Sequence, residues 1–459
     1  MTFKMGRGVA LLAVLCLAPV LLWATASPLG PRFSDASSSL TALGAAFGLA
    51  GISAFALNVI LGTRLRSMER VFGGLDKMFS VHRVLGRVAF LLLVGHAMLV
   101  ISGAAGVSAD NAVGLFDPSK GWTAPIGVIA LLAMTVSIGL TLYAKLNHEL
   151  FVYVQRTFGA ILLVGAVHAF RTPGTKSLSR PLTIYLLILI GIATAAFVRR
   201  SVAGDALVRR YDYRVTGVTQ LDKAVIEIVM SPEGRRLRFT PGQFVFLTFS
   251  SKEMARRFHP FARVSEGTSE LITLRPGDVK NQFHPFSITS GRDDPDLRVA
   301  VKAVGDYTTA MRALEGGAWA RAEGPYGGFG HLRVKNPRQI WVAGGIGVTP
   351  FLSMARSFGD GDHKVDFYFA VKRRRQAYFL DELTAISERT EGLNLIVVPE
   401  DEEGFLTAAE VARRSGGLDG KDVLICGPTV MISAMADQFR AQGMPNRRIH
   451  YELFRFGAT

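Results

Sequence analysis

The chain has 459 residues, 49% of them hydrophobic, and a formal net charge of +15; it is too long for one domain and too apolar for an ordinary soluble protein. The positive charge gathers beside apolar runs and is otherwise scattered, which excludes a nucleic-acid surface and fits anionic membrane lipid and phosphorylated cofactors instead. Its cysteines, Cys16 and Cys426, lie far apart and exclude both a disulfide framework and a cysteine-based metal cluster.

Six apolar runs fill the first 200 residues, at roughly 8–25, 40–62, 84–104, 122–143, 151–170 and 181–198. Each is about long enough to cross ~30 Å of hydrocarbon as a helix, and none recurs after Arg199. The first run ends in small residues, LAPVLLWATASP, but the charge pattern keeps it as a helix rather than a signal peptide. Lys4 and Arg7 precede it, Arg64, Arg66, Arg70, Lys77 and Arg83 fall between runs two and three, Lys145 between four and five, and Arg199 and Arg200 after six. By the positive-inside rule these segments and both termini are cytoplasmic, in a bacterial-type inner (plasma) membrane. The opposite loops are not free of charge, carrying Arg32, Lys120, Arg171, Lys176 and Arg180.

His82 and His96 lie fourteen residues apart on the third span, His82 just ahead of its apolar run, nearly on one face of a helix and about 21 Å apart along its axis. The fifth run, within HELFVYVQRTFGAILLVGAVHAF (148–170), carries His168 and, thirteen residues earlier, Gln155. Hydrocarbon offers an imidazole no water partner, so a histidine in a span is a functional hypothesis by default. Two on one helix and a third on another favour axial ligation of haem iron over separate helix-to-helix hydrogen bonds.

From residue 206 to 333 the pattern turns to short alternating runs such as AVIEIV and FVFLTF, broken by Gly and Pro, which predict an antiparallel barrel. In it, HPFSITS (284–290) offers a basic side chain for phosphates in His284, an aromatic for the isoalloxazine ring in Phe286 and a hydroxyl for its polar edge in Ser287; Pro285, Thr289 and Ser290 complete the motif. FHPFARV (258–264) repeats HPF without the following hydroxyl and reads as a lookalike loop. VKAVGDYTTAM, with Lys302, Tyr307 and Thr308, and GPYGGFG (324–330) suit close backbone approach to a pyrophosphate.

From 334 to 459, strand-like IWVAGG, VDFYFAV, LNLIVV and DVLICG alternate with helical stretches near 350–358, 380–388, 407–414 and 429–442, predicting a parallel sheet with crossover helices. AGGIGVTPFLS places Gly344, Gly345, Gly347, Thr349 and Pro350 between a strand and a helix N-terminus, where backbone N–H groups meet a dinucleotide phosphate. CGP (426–428) gives Gly427 and Pro428 a second close approach, with Cys426 facing the nicotinamide. In KRRR (372–375), Arg373 and Arg374 suit a 2′-phosphate and favour NADPH over NADH.

Membrane histidines, HPFSITS, GGIGVTP, CGP and a terminal HYELF together resemble the ferric reductase and NADPH oxidase superfamily over nearly the whole chain. The resemblance implies a membrane all-α six-helix haem bundle (1–205) fused to a soluble β-barrel FAD domain (206–333) and an α/β parallel-sheet NAD(P) domain (334–459). It also implies that Glu452 and Phe454 sit beside the flavin, Phe454 covering its ring. Haem b is then held by His96 and His168, while the inner pair is broken: Glu149 is followed six positions later by Gln155-Arg156 where the family has His-Arg. Gln155 is a poor iron ligand, its amide oxygen being neutral and hard, and His148, about 30 Å along the helix from His168, is no substitute. Two alternatives stay open. One haem is bound and the flavin reaches further into the bundle, the expected case; or His82 alone carries a second haem opposite Gln155.

The implied activity is a transmembrane oxidoreductase passing electrons from cytoplasmic NAD(P)H through FAD and haem to a small-molecule acceptor outside, ferric chelate or dioxygen. Val100 stands where superoxide-producing relatives have a further histidine, which weakens dedicated dioxygen reduction. The alternative is a membrane electron-transfer subunit supplying a periplasmic or membrane partner protein.

Overall fold

The computed structural model describes residues 6–144, 148–172, 180–250, 283–304, 306–359, 361 and 363–452. FHPFARV, Lys145, Lys176 and Phe454 lie outside them. The chain forms two units, Met1–Val208 and Arg209–Thr459.

The first unit carries six helices long and apolar enough to cross a membrane: α1 (Arg7–Ala24), α2 (Ala36–Gly62), α3 (Leu75–Val107), α4 (Thr123–Tyr143), α5 (His148–Arg171) and α6 (Arg180–Phe197). By helix length and composition the protein is a multi-pass membrane protein. Asp35 caps α2, accepting from Ser38 N at 2.9 Å, as an N-cap carboxylate should. Gly73 and Gly74, at φ 73° and 142°, turn the chain into α3, a conformation closed to most other residues. That turn starts α3 nine residues before its apolar run and brings His82 well inside it. The most buried helix is α2, packed mainly on α3 and also against α1, α5 and α6, while α4 pairs with α5.

The second unit opens with six antiparallel strands, β1 (Arg210–Asp222), β2 (Val225–Pro232), β3 (Phe244–Ser250), β4 (His284–Ser287), β5 (Leu297–Lys302) and β6 (Trp319–Tyr326), in the order β4-β3-β6-β1-β2-β5. A bridge between Ile288 and Val299 joins the two ends of this order. Alternate residues such as Val215, Ile228, Val245, Leu247 and Val299 fill the interior, following the period of two along each strand.

Five parallel strands follow, β7 (Arg338–Gly344), β8 (Lys364–Val371), β9 (Leu393–Pro399), β10 (Asp422–Cys426) and β11 (Ile449–Glu452), in the order β11-β10-β7-β8-β9. Their connecting helices include α7 (Thr349–Arg356), α8 (Leu380–Arg389), α9 (Ala408–Arg414) and α10 (Thr429–Ala441). The order reverses between β7 and β10, whose ends align with Ala343 beside Cys426; ligands of open α/β sheets bind at such a switch point. Strand β11 is the element that strand patterning does not mark, its residues standing out only as part of HYELF.

Candidate haem, flavin and nucleotide sites

Each of the three intramembrane imidazoles is held by a main-chain carbonyl on a neighbouring helix. His96 Nδ1 lies 2.8 Å from Gly44 O, His82 Nδ1 3.0 Å from Asn58 O, and His168 Nδ1 2.7 Å from Thr123 O. A carbonyl can only accept, so Nδ1 carries the proton and Nε2 the lone pair that a metal needs. Side chains on a helix lean toward its N-terminus, so residue i+4 covers carbonyl i. At all three sites that residue is glycine. A Cβ on Gly48 would lie 2.8 Å from His96 Nδ1, one on Gly127 2.8 Å from His168 Nδ1, and one on Gly62 3.5 Å from His82 Cε1.

The His96 and His168 rings stand 6.0 Å apart, centre to centre. Iron between two Nε2 atoms, at ~2 Å from each nitrogen and with about 1 Å from nitrogen to ring centre, asks for about 6 Å. Among the described residues no Nε2 of the three has another hydrogen-bond partner. The pair therefore fits a haem. Gln155 is half-buried, with its Nε2 within 3.5 Å of Thr141 Oγ1.

In the barrel, His284–Ser287 form β4, with Phe286 beside Val245 and Ser287 beside Phe244. Phe286 is 8% exposed and packs in the barrel interior, whereas a ring lying on a flavin needs an open face. On the opposite face of β3, Phe244, Phe246 and Tyr326 form an aromatic trio with ring centres 5.5–6.0 Å apart. Tyr307 stacks on His284 at 3.9 Å, and burial pushes its hydroxyl pKa up. Thr308 Oγ1 accepts from Val304 N, and Lys302 is exposed at the end of β5. Thr289 and Ser290 are buried, and their carbonyls accept from Arg356 and Ser353 on α7. They join the barrel to the parallel sheet.

At the switch point, the glycine loop and the CGP turn meet backbone to backbone. A Cβ on Gly347 would collide with the Cys426 carbonyl, and one on Gly427 would lie 3.0 Å from Gly344 Cα. Gly345 adopts φ 52°, and Pro350 opens α7 in its first turn, where a missing N–H costs nothing. Pro428 caps α10. Cys426 is fully buried; burial, then the carboxylate of Glu452, push its thiol pKa far up. Glu452 pairs with Cys426 across β10 and β11, and its Oε1 would lie 3.1 Å from a Cβ on Gly327. Thus Cys426, Glu452, Gly327 and Phe244 come together from four segments. Arg373 and Arg374 are exposed in the turn after β8, where Lys372 O accepts from Asp401 N of the acidic turn Glu400–Glu403.

Sequence reasoning missed the glycine clearances, Gln243, which ties the turn before β3 to Gly327 O at 3.1 Å, and Arg356. The spacing of Gly44, Gly48 and Gly62 along α2 was the available signal.

Residues 47–166 match the ferric reductase like transmembrane component, and residues 341–437 the oxidoreductase NAD-binding domain. The chain is thus a membrane oxidoreductase that joins a ferric-reductase-like transmembrane domain to an NAD-binding oxidoreductase domain. The second of these domains takes a nicotinamide dinucleotide as its cofactor. Toluate 1,2-dioxygenase electron transfer component of Pseudomonas putida is 26% identical over 255 residues, 53% of this chain and 67% of its own. A superoxide-generating NADPH oxidase heavy chain of Dictyostelium discoideum is 23% identical over 351 residues, 67% of this chain and 58% of its own. The chain thus spans between 58% and 67% of the length of these curated relatives. The crystal structure of flavohemoglobin from Malassezia yamatoensis, with bound FAD and heme, aligns over 93% of this chain and 97% of its own at 16% identity and a TM-score of 0.46.

Proposed function

We propose that the protein passes electrons from cytoplasmic NAD(P)H through FAD and haem to a small-molecule acceptor on the outer face, ferric chelate or dioxygen. The observation that carries this reading is the His96–His168 pair, two imidazoles 6.0 Å apart with both Nδ1 protons engaged by carbonyls. Haem supplies a one-electron centre inside the membrane, and flavin converts a hydride pair into single electrons.

The chain's own residues orient and enclose these groups. His96 and His168 present Nε2 to iron and are kept from turning by Gly44 and Thr123. Gly344, Gly345 and Gly347 open the backbone to the nucleotide phosphates, and the N-terminus of α7, with Thr349 and Pro350, faces the same charge. Gly427 and Pro428 bring the nicotinamide down beside Cys426, which burial keeps as a neutral thiol. Ser287 and Glu452 border the flavin, with His284, Tyr307 and Thr308 toward its phosphates and Arg373 and Arg374 toward a 2′-phosphate. The charge pattern of the loops favours both termini in the cytoplasm, on the side where the nucleotide is found.

The test is anaerobic reduction of the purified full chain by NADPH and by NADH, following flavin and haem bands together, then addition of ferric citrate or air. Flavin reduction followed by haem reduction, with reoxidation by either acceptor at a catalytic rate, is expected. Haem that NAD(P)H does not reduce would refute the path. Haem that is reduced but reoxidised by neither acceptor would favour the partner-protein alternative.

A further inference from the structure

The membrane unit is built in two storeys, and they are not equivalent. On α2, Gly44 O and Gly48 serve His96; fourteen residues further along, Asn58 O and Gly62 serve His82, itself fourteen residues from His96 on the antiparallel α3. The same carbonyl and the same i+4 glycine thus recur one storey down. On α4, Thr123 O and Gly127 serve His168. Fourteen residues further along α4 stand Ser137 and Thr141, and thirteen residues before His168 on α5 stands Gln155.

Here the pattern breaks at every position together. Thr141 replaces the glycine and closes its hydroxyl onto Ser137 O at 2.8 Å, the carbonyl that an imidazole at 155 would need. Threonine commonly bonds back to the i−4 carbonyl in this way. Gln155 Nε2 then lies within 3.5 Å of that same hydroxyl. The α4–α5 half of the inner storey is a coupled Thr141–Gln155 pair, whereas the α2–α3 half is a complete imidazole cradle. His82 Nδ1 is engaged, its ring has clearance, and its Nε2 has no partner among the described residues.

We propose that the inner storey holds a haem carried by His82 alone, with an open sixth position on the Gln155 side, so that it binds a small neutral ligand that the outer haem excludes. This takes the second of the two alternatives the sequence leaves open, and it rests on the haem-bearing reading of the bundle above. A neutral amide drawn toward Thr141 is a weak iron ligand compared with a second imidazole. The inner iron is therefore high-spin and the outer, between His96 and His168, low-spin.

The test uses purified full chain in detergent: haem and FAD per chain, electron paramagnetic resonance of the oxidised protein, and a carbon monoxide difference spectrum after dithionite reduction. Two haems per FAD, one low-spin and silent to carbon monoxide, one high-spin and reactive, are expected. The double variant Thr141→Gly/Gln155→His restores clearance, carbonyl and ligand together; it should keep the haem count, turn the second haem low-spin and abolish its carbon monoxide response. His82→Ala should lose the reactive haem and keep the low-spin one, whose retained spectrum certifies folding. One haem per FAD in the parent chain, or a carbon monoxide response that survives in the double variant, overturns the proposal. Loss of the low-spin signal in the parent chain would instead overturn the reading of the outer pair.

Discussion

Arg356 is the cation that fastens the barrel to the parallel sheet, and replacing it by methionine is the most informative stability test. Its side chain is 6% exposed. Nε and a terminal nitrogen grip both oxygens of Glu382 at 2.7 and 2.8 Å, another donates to Thr289 O at 2.9 Å, and Glu227 lies at 3.4 Å. Glu382 is 40% exposed and can rehydrate, so its share of the loss is at most ~1 kcal/mol. Glu227 is 12% exposed and would keep only Arg298 of the two cations that act on it, which comes close to a buried charge without its partner, a situation that costs about 3–5 kcal/mol. We expect Arg356→Met to lower stability by about 3 kcal/mol, and Arg356→Met/Glu227→Gln to recover most of that loss in a double-mutant cycle. Burial already holds the Glu227 carboxyl above its ordinary 4.5, against the pull of Arg356. Without the arginine its pKa rises further, so the variant's deficit should grow as pH rises above 4.5 and shrink as pH falls toward it. Urea titration of the detergent-solubilised chain, followed by flavin release, measures this. A loss below ~1 kcal/mol, or no recovery with glutamine, would refute the argument from buried charge.

Further outcomes follow from individual contacts. His331 is 3% exposed, and burial, with His363 and Arg292 nearby, pushes its pKa down from 6.5 to about 4. Its depressed pKa means stability is full above 6.5 and falls as pH drops toward 4, because only the unfolded chain takes up the proton; His331→Phe should flatten that slope by one proton in pH-dependent urea titrations. Gly347→Ala drives a Cβ into the Cys426 carbonyl, so reduction by NAD(P)H should collapse while bound FAD is retained, as stopped-flow and flavin assay would register. Arg373→Ala should raise KM for NADPH by about ten-fold and leave that for NADH nearly unchanged, the size expected for losing one charge-assisted phosphate contact. Gly127→Val would push a methyl-bearing carbon into His168; the expected signature is loss of the low-spin spectrum of the outer haem.

The membrane spans were legible because hydrophobic length is written directly in composition, and α3 begins early only because paired glycines set its start. The parallel sheet was legible for a related reason: β7, β8 and β10 are buried along most of their length and read as apolar runs, and the half-buried edge strand β9 still carries the run LIVV. Strand β11 escaped because His450 and Tyr451 are half-buried and Glu452 is polar, which no hydrophobic pattern marks. The place of Phe286 in HPFS suggests a flavin platform, but side-chain direction depends on register, and pairing with Val245 turns it inward. The carbonyl cradles left the faintest trace. A backbone acceptor has no residue type, and only the glycine four positions on betrays it.

That choice of acceptor has a chemical consequence. Helices α2 and α4 contain no charged residue, so no carboxylate partners the imidazoles from either, and a carboxylate at that depth would carry a severe desolvation penalty. A helical carbonyl already bonded to its own i+4 amide keeps a second lone pair, and glycine uncovers it. The imidazole is thereby oriented without adding charge and made less basic than a carboxylate partner would make it. A neutral ligand set stabilises oxidised iron less than an anionic one, which favours taking an electron from flavin. Installing a carboxylate tests this: Gly48→Asp should either prevent haem binding at the outer pair or lower the potential of that haem in a redox titration. An unchanged haem content with an unchanged potential would mean that the carbonyl is not the group that tunes it.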